Sequence, residues 1–183
     1  RAYREGNSVK IEVWSDFVCP FCYIGKRRLE QALEGFAGRA QVEVVYKSFE
    51  LDPHIARDGN PSVYDMLSQK YGISREQAIA NTWHVAQMAK EVGMDYHFDR
   101  MIQTNTFDAH RLAHYASTQG KHLEMTERLL KAYFIDNLHI GRHETLADLA
   151  EEVGLERLSV EEVLRNGAYA DEVRRDEEEV SRI

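Results

Sequence analysis

Val9, Ile11 and Val13 alternate with Lys10, Glu12 and Trp14, which is the period of a β-strand, and the pattern stops at Ser15-Asp16. The period then changes. Beyond Cys19-Pro20-Phe21-Cys22, Leu29, Leu33 and Phe36 recur at helical spacing with Ala32 beside them, which predicts a helix from Phe21 to Ala37. Pro20 suits the first turn, where no N–H is needed, and Gly35 or Gly38 can close the helix. Gln41 to Leu51 is rich in Val, Tyr and Phe and reads as a second strand, stopped by Asp52-Pro53. The opening is therefore β-α-β, with both cysteines at the first strand-to-helix junction.

After Pro61 the whole pattern is helical. Asn60-Pro61-Ser62 starts one helix, and Ser74 with Gln77 forms a capping box ahead of Ile79, Trp83, Ala86, Ala89 and Val92, with Gly93 as the stop. Further helices are predicted from Thr106 to Gln119, Leu123 to Leu138 and Thr145 to Val153. Ser159 and Glu162 cap a short piece, and a charged segment runs from Ala170 to Ile183. Its Asp176-Glu177-Glu178-Glu179 run reads as a solvated face. Residues 1–8 read as a tail. That leaves two strands, fewer than a stable sheet needs, so either a second molecule completes the sheet, as in a homodimer, or the C-terminal strands are absent from this chain.

The chain has 183 residues, enough for one large domain or a domain with an insertion, and 43% hydrophobic residues can fill a core. Its formal net charge of −8 has the wrong sign for neutralising phosphates, so nucleic acid and anionic membrane surfaces are not expected partners. No apolar run approaches the roughly 20 residues that cross a bilayer. The first residues lack the apolar stretch of a secretory signal, and cytoplasm is the expected compartment. The five methionines, Met66, Met88, Met94, Met101 and Met125, read as core filling.

There are two cysteines, and they stand three apart. Chance would place two cysteines so on the order of one time in a hundred, and a staple closing so short a loop removes little chain entropy. A cysteine at a helix start meets unpaired N–H groups and the positive end of the helix dipole, which favour thiolate. Cys19 holds that place. It is the expected nucleophile toward a disulfide, and Cys22, one turn on, is placed to resolve the mixed disulfide. Zinc would need two more ligands; His110 and His114 stand four apart, but Arg111 rather than Glu follows His110, and no metal is expected. Trp14, Phe17, Pro20, Phe21, Tyr23 and His110 are the candidate substrate-binding or wall residues. Asp16 cuts both ways, since it suits a helix start yet disfavours a nearby thiolate.

The segment Ile11-Glu12-Val13-Trp14-Ser15-Asp16-Phe17-Val18-Cys19-Pro20-Phe21-Cys22-Tyr23-Ile24-Gly25 resembles the thioredoxin-fold DsbA-like oxidoreductases of the FrnE subfamily, as does Asn105-Thr106-Phe107-Asp108-Ala109-His110-Arg111-Leu112. The resemblance implies an α/β fold: a thioredoxin-like core, 9–52, interrupted by a large all-helical insertion, 53–183, with the end of the thioredoxin domain missing. It also implies exchange or isomerisation of protein or small-molecule disulfides, with no cofactor beyond glutathione as a redox partner. Such proteins carry a cis-proline loop beyond the insertion; here the prolines are Pro20, Pro53 and Pro61. Kappa-class glutathione transferases and hydroxychromene-carboxylate isomerases are similar in architecture but use serine where Cys19 stands. A glutathione-dependent transferase or isomerase is the alternative expectation.

Overall fold

The computed structural model describes residues 1–183 and contains a three-stranded sheet, ordered β1-β2-β3, with eight α-helices. Strand β2, Ser8–Ser15, and strand β3, Val42–Ser48, pair in parallel with Val9 opposite Val42 and Ser15 opposite Ser48. Helix α1, Pro20–Glu34, connects them as predicted. Residues 1–8 are not a tail. Ala2–Glu5 form β1, which turns through Gly6 at φ +64° and runs antiparallel to β2 from Ala2 opposite Ile11 to Glu5 opposite Ser8. A four-residue edge strand lacks enough length for alternation to show, and its side chains are all exposed.

The other edge of the sheet is closed by side chains. The Tyr46 N–H donates to His122 Nε2 at 3.2 Å, and the Ser48 N–H donates to Asp176 Oδ2 at 2.9 Å. Bonds of this kind keep β3 from offering bare backbone to another strand.

The seven remaining helices are α2, Val63–Tyr71; α3, Arg75–Glu91; α4, Phe107–Thr118; α5, His122–Phe134; α6, His143–Glu152; α7, Arg157–Asn166; and α8, Ala170–Val180. Ser62 and Ser74 cap α2 and α3 through their hydroxyls, as their spacing predicts. Ser159 does not cap anything; α7 begins two residues earlier and Ser159 lies inside it, bonded to Glu156. The main core lies among α4, α5, α6 and α7, around Leu112, Met125, Leu129, Leu130, Phe134, Leu146 and Leu149. Met94, Met101 and Met125 are buried, which is the filling role expected of them.

Helix α8 packs against both β3 and α4. Its acidic run is not a solvated face throughout: Asp176 is buried, lies 2.9 Å from His114 Nε2, and Glu179 pairs with Lys47 at 2.7 Å. The predicted polar side of β2 is covered in the same way. Glu12 is buried with Lys47 and Arg1 beside it; burial pushes its pKa up, but their hydrogen bonds prevail and hold it at about 2. A charge pattern reports polarity, not exposure, and paired carboxylates can be enclosed.

Arg111 fixes α7 to α4. Its buried guanidinium donates to the carbonyls of Val163, Leu164 and Ala168 at 2.8, 2.9 and 3.0 Å, supplying partners at the end of a helix whose last carbonyls have none of their own. Replacing Arg111 by Met keeps most of the volume but strands those acceptors, and the variant should lose about 2–4 kcal/mol in urea unfolding. A loss below about 0.5 kcal/mol would show that the carbonyls find other partners.

Candidate active site

The sequence shapes the start of α1 in three steps. Ser15 ends β2, Asp16-Phe17-Val18 turn the chain, and Cys19 takes an extended conformation, φ −89° and ψ 111°, as the residue that caps the helix. Its sulfur accepts the Cys22 N–H at 3.3 Å, and Pro20 occupies the first helical position. Cys19 and Cys22 are free thiols, both half-buried, with Phe21 between them 57% exposed. The Tyr96 hydroxyl donates to the Pro20 carbonyl at 2.7 Å, and its ring stacks on Phe134, centroids 4.6 Å apart. Tyr23 is buried and its hydroxyl donates to Glu127, which also takes Lys26 at 2.8 Å and Arg27 at 2.7 Å. The first two turns of α1 are thereby tied to α5.

Beneath the cysteines lies Asp16, 2% exposed. Its Oδ1 accepts from the Phe17 N–H at 2.8 Å, the Thr106 hydroxyl at 2.8 Å and His110 Nε2 at 3.0 Å; its Oδ2 accepts from the Leu51 N–H at 2.9 Å. Phe17 is buried against the His110 ring at 4.6 Å. His110 and His114 share a helix face but serve different carboxylates, Asp16 and Asp176. No group of three or more His, Cys, Asp or Glu side chains is arranged to hold a metal ion.

The two sulfurs titrate as a unit. Cys22 is drawn down to about 6: the Cys19 thiol donates to it, burial opposes, and the Asp16 N–H and Ser15 hydroxyl add donors, while the Asp16 charge pushes it back up. Cys19 is raised, because that same bond to Cys22 favours its protonated form and burial adds to it. One proton is thus held between two sulfurs. The helix-start amides expected to face Cys19 are present, from Cys22 and Phe21, and donors at the end of β2 face Cys22.

Cys19, Pro20, Phe21 and Cys22 form the mouth of this site, with Phe17, Tyr23 and His110 supporting it from below. Trp14 belongs elsewhere. Its Nε1 donates to the Asp176 carbonyl at 2.8 Å and its ring lies under Arg1 and Lys47, because alternation along β2 turns it toward α8. Residue spacing missed Thr106 and Tyr96 as parts of the site. Thr106 read as a helix start, yet its hydroxyl makes no cap bond and turns to Asp16; Tyr96 carries no local signal at all.

Residues 10–183 match the family model described as the DSBA-like thioredoxin domain. The chain belongs to that family. It is 33% identical over 167 residues to YwbO, an uncharacterised protein of Bacillus subtilis, covering 90% of this chain and 76% of that one. It superposes with a TM-score of 0.90 on the crystal structure of a probable DsbA oxidoreductase, SCO1869, from Streptomyces coelicolor, at 42% identity, covering 94% of this chain and 75% of that one. The cytosolic disulfide reductase DsbM from Pseudomonas aeruginosa shares the fold at a TM-score of 0.64 and 14% identity, over 94% of this chain and 77% of that one. The thioredoxin-like DsbA fold expected from the two motifs is therefore present, with a Cys-x-x-Cys pair at its helix start.

Two measurements follow from the ionisation of this region. Thiolate absorbance of the reduced protein should rise through a midpoint at about 6 with an amplitude of one sulfur, and the oxidised protein should show no such step; a single step near an ordinary thiol pKa of about 8.5 would contradict the shared proton. Glu127 is pushed up by burial but held at about 2 by its bonds from Arg27, Lys26 and Tyr23. A depressed folded pKa stabilises above the unfolded value and is lost as pH falls, so wild type should lose more stability than Glu127→Gln between about pH 5 and 2. Parallel melting curves for the two proteins across that window would contradict the pairing.

Proposed function

We propose that this protein is a thiol–disulfide oxidoreductase in which Cys19 attacks and Cys22 resolves. The observation that carries the reading is a pair of half-buried free thiols at the first turn of a helix, with the Cys19 sulfur accepting the Cys22 N–H at 3.3 Å. Once ionised, the Cys19 thiolate meets the Cys22 and Phe21 amides and stands beside exposed Phe21. Cys22 faces Ser15 and Asp16 in the interior and is the sulfur left to finish the exchange.

Cys19 attacks one sulfur of a substrate disulfide; the substrate S–S bond breaks, its other sulfur leaves as a thiolate, and a mixed disulfide to Cys19 forms. Cys22 then gives up its proton and attacks Cys19, releasing the second substrate thiolate and leaving Cys19–Cys22 oxidised. Two electrons pass from the pair to the substrate, and the reverse sequence oxidises a dithiol. Protein or low-molecular-weight disulfides are the substrate class. Glutathione is a suitable electron source, and a DsbM structure contains GSH. The serine-based transferase chemistry of the alternative reading is disfavoured by Cys19 itself. The two motifs support a place in the FrnE subfamily, and the likeness to the cytosolic reductase DsbM supports a cytoplasmic setting.

In an insulin-reduction assay driven by glutathione, Cys19→Ser should fall to the uncatalysed rate. Cys22→Ser should accumulate mixed disulfides, visible as a mass increase that a reductant removes. Full turnover by Cys19→Ser would overturn the assignment.

A further inference from the structure

The turn between the two cysteines is held from the helical layer by one hydroxyl. Tyr96 donates to the Pro20 carbonyl at 2.7 Å. Tyr96 stands on the connection from α3 to α4, 5% exposed, three residues after Gly93, whose φ of +82° turns the chain away from α3. Its ring is stacked on Phe134 at 4.6 Å, edge-on to Phe98 at 5.7 Å and nearly parallel to Tyr23 at 6.3 Å. On its C-terminal side the His97 N–H donates to the Phe134 carbonyl at 3.3 Å, and Asn137 donates to the His97 carbonyl at 3.3 Å. The hydroxyl is therefore aimed by the end of α5 and not by the turn it reaches.

The Pro20 carbonyl and the Phe21 N–H are the two ends of one peptide group. That N–H is one of the unpaired donors at the start of α1, and it faces Cys19 together with the Cys22 N–H, 3.3 Å from the Cys19 sulfur. A donor on a peptide oxygen draws electron density toward that oxygen and leaves the N–H more positive, so hydrogen bonds through one peptide strengthen each other. The chain of contacts runs from the Tyr96 hydroxyl through the Pro20 carbonyl and the Phe21 N–H to the Cys19 sulfur. A thiolate gains more from it than a disulfide sulfur does, because a hydrogen bond to a charged acceptor is roughly twice as strong as one to a neutral acceptor. The ionisable groups facing Tyr96 are Tyr23 and Arg27 on α1 and the two cysteines. Burial first, then the charges of Tyr23 and the sulfurs, raise its pKa and keep it a neutral donor. From other elements the sulfurs face Asp16 beyond β2 and Tyr46 on β3, and a substitution at Tyr96 alters neither.

We propose that Tyr96 is a positioning residue of the exchange reaction: its hydroxyl, acting through the Pro20–Phe21 peptide, stabilises the Cys19 thiolate and biases the pair toward its reduced form. This deepens the reaction proposed above and rests on it. In the equilibrium concerned, the dithiol and one glutathione disulfide give the Cys19–Cys22 disulfide and two glutathione thiols; the glutathione S–S bond breaks, the Cys19–Cys22 bond forms, and two electrons and two protons pass to glutathione. The helical layer thereby sets the redox balance of a turn in the thioredoxin-like layer, through one bond that the Cys-Pro-Phe-Cys residues do not themselves contain.

The test is the equilibrium of the full chain with reduced and oxidised glutathione, read by mass after acid quench at one fixed pH above the thiolate midpoint, together with that midpoint from thiolate absorbance. Tyr96→Phe keeps the ring and removes the donor. It should raise the midpoint by about half a unit and favour the disulfide form about threefold, the two changes being one free energy read twice. Placing 3-fluorotyrosine at the same position by nonsense suppression keeps the ring and makes the hydroxyl more acidic, hence a stronger donor. It should move both quantities the other way, and it decides the matter alone if Tyr96→Phe does not fold by circular dichroism. A ring that serves packing only gives no such opposed pair of shifts. No shift, shifts of one sign, or a changed equilibrium over an unchanged midpoint overturns this proposal. A wild-type chain that forms no Cys19–Cys22 disulfide at any glutathione ratio overturns the exchange mechanism instead, so the two failures are distinct.

Discussion

The constraint on which the site depends is the burial of one carboxylate. An enclosed charge without partners costs several kcal/mol, so Asp16 is compatible with a folded chain only while its donors are present. Those donors are the Phe17 and Leu51 amides, the Thr106 hydroxyl and the His110 ring. They belong to the turn before α1, the segment leaving β3, and the first turn of α4. Each must be placed to within a hydrogen-bond length, which means that the dithiol, the sheet and the helical layer share a common reference point. Tyr96 on Pro20 and Glu127 on Tyr23, Lys26 and Arg27 then fix how far α1 can tilt from it.

The segment from Asn105 to Arg111 shows how densely such tasks can be written. Asn105 accepts the Phe107 N–H and donates back to the carbonyls of Pro53 and Ile55. Thr106 and His110 reach Asp16 on one side, while Arg111 reaches the carbonyls at the end of α7 on the other. Seven residues therefore connect the loop after the sheet, the site floor and the far helices. These are polar side chains in a buried setting, and each has a partner, as buried polar groups require.

Much of this was legible in the residues alone. The alternation of Val9, Ile11 and Val13, the Pro20 start of α1, and the serine caps of α2 and α3 rest on local rules, and local rules suffice for elements. The Cys19–Cys22 spacing pointed to the candidate site because two thiols one turn apart at a helix start have few other uses. What stayed hidden was long-range. Nothing near Trp14 indicates that α8 will cover it, nothing in the acidic run distinguishes buried Asp176 from its more accessible neighbours, and nothing in Cys19 alone reveals the donors that face Cys22. The short β1 escaped for a different reason: four exposed residues hold a strand only because β2 supplies the hydrogen bonds.

The sealing of β3 by His122 and Asp176 has an architectural corollary. Lateral growth of the sheet is blocked on that margin, whereas the outward backbone of β1 stays bare and its four side chains are all in solvent. Any strand recruited from elsewhere must therefore dock along Ala2–Glu5, on the side of β2 away from β3. Such an addition would extend the layer without disturbing the β2–β3 pair that flanks the Cys19–Cys22 turn.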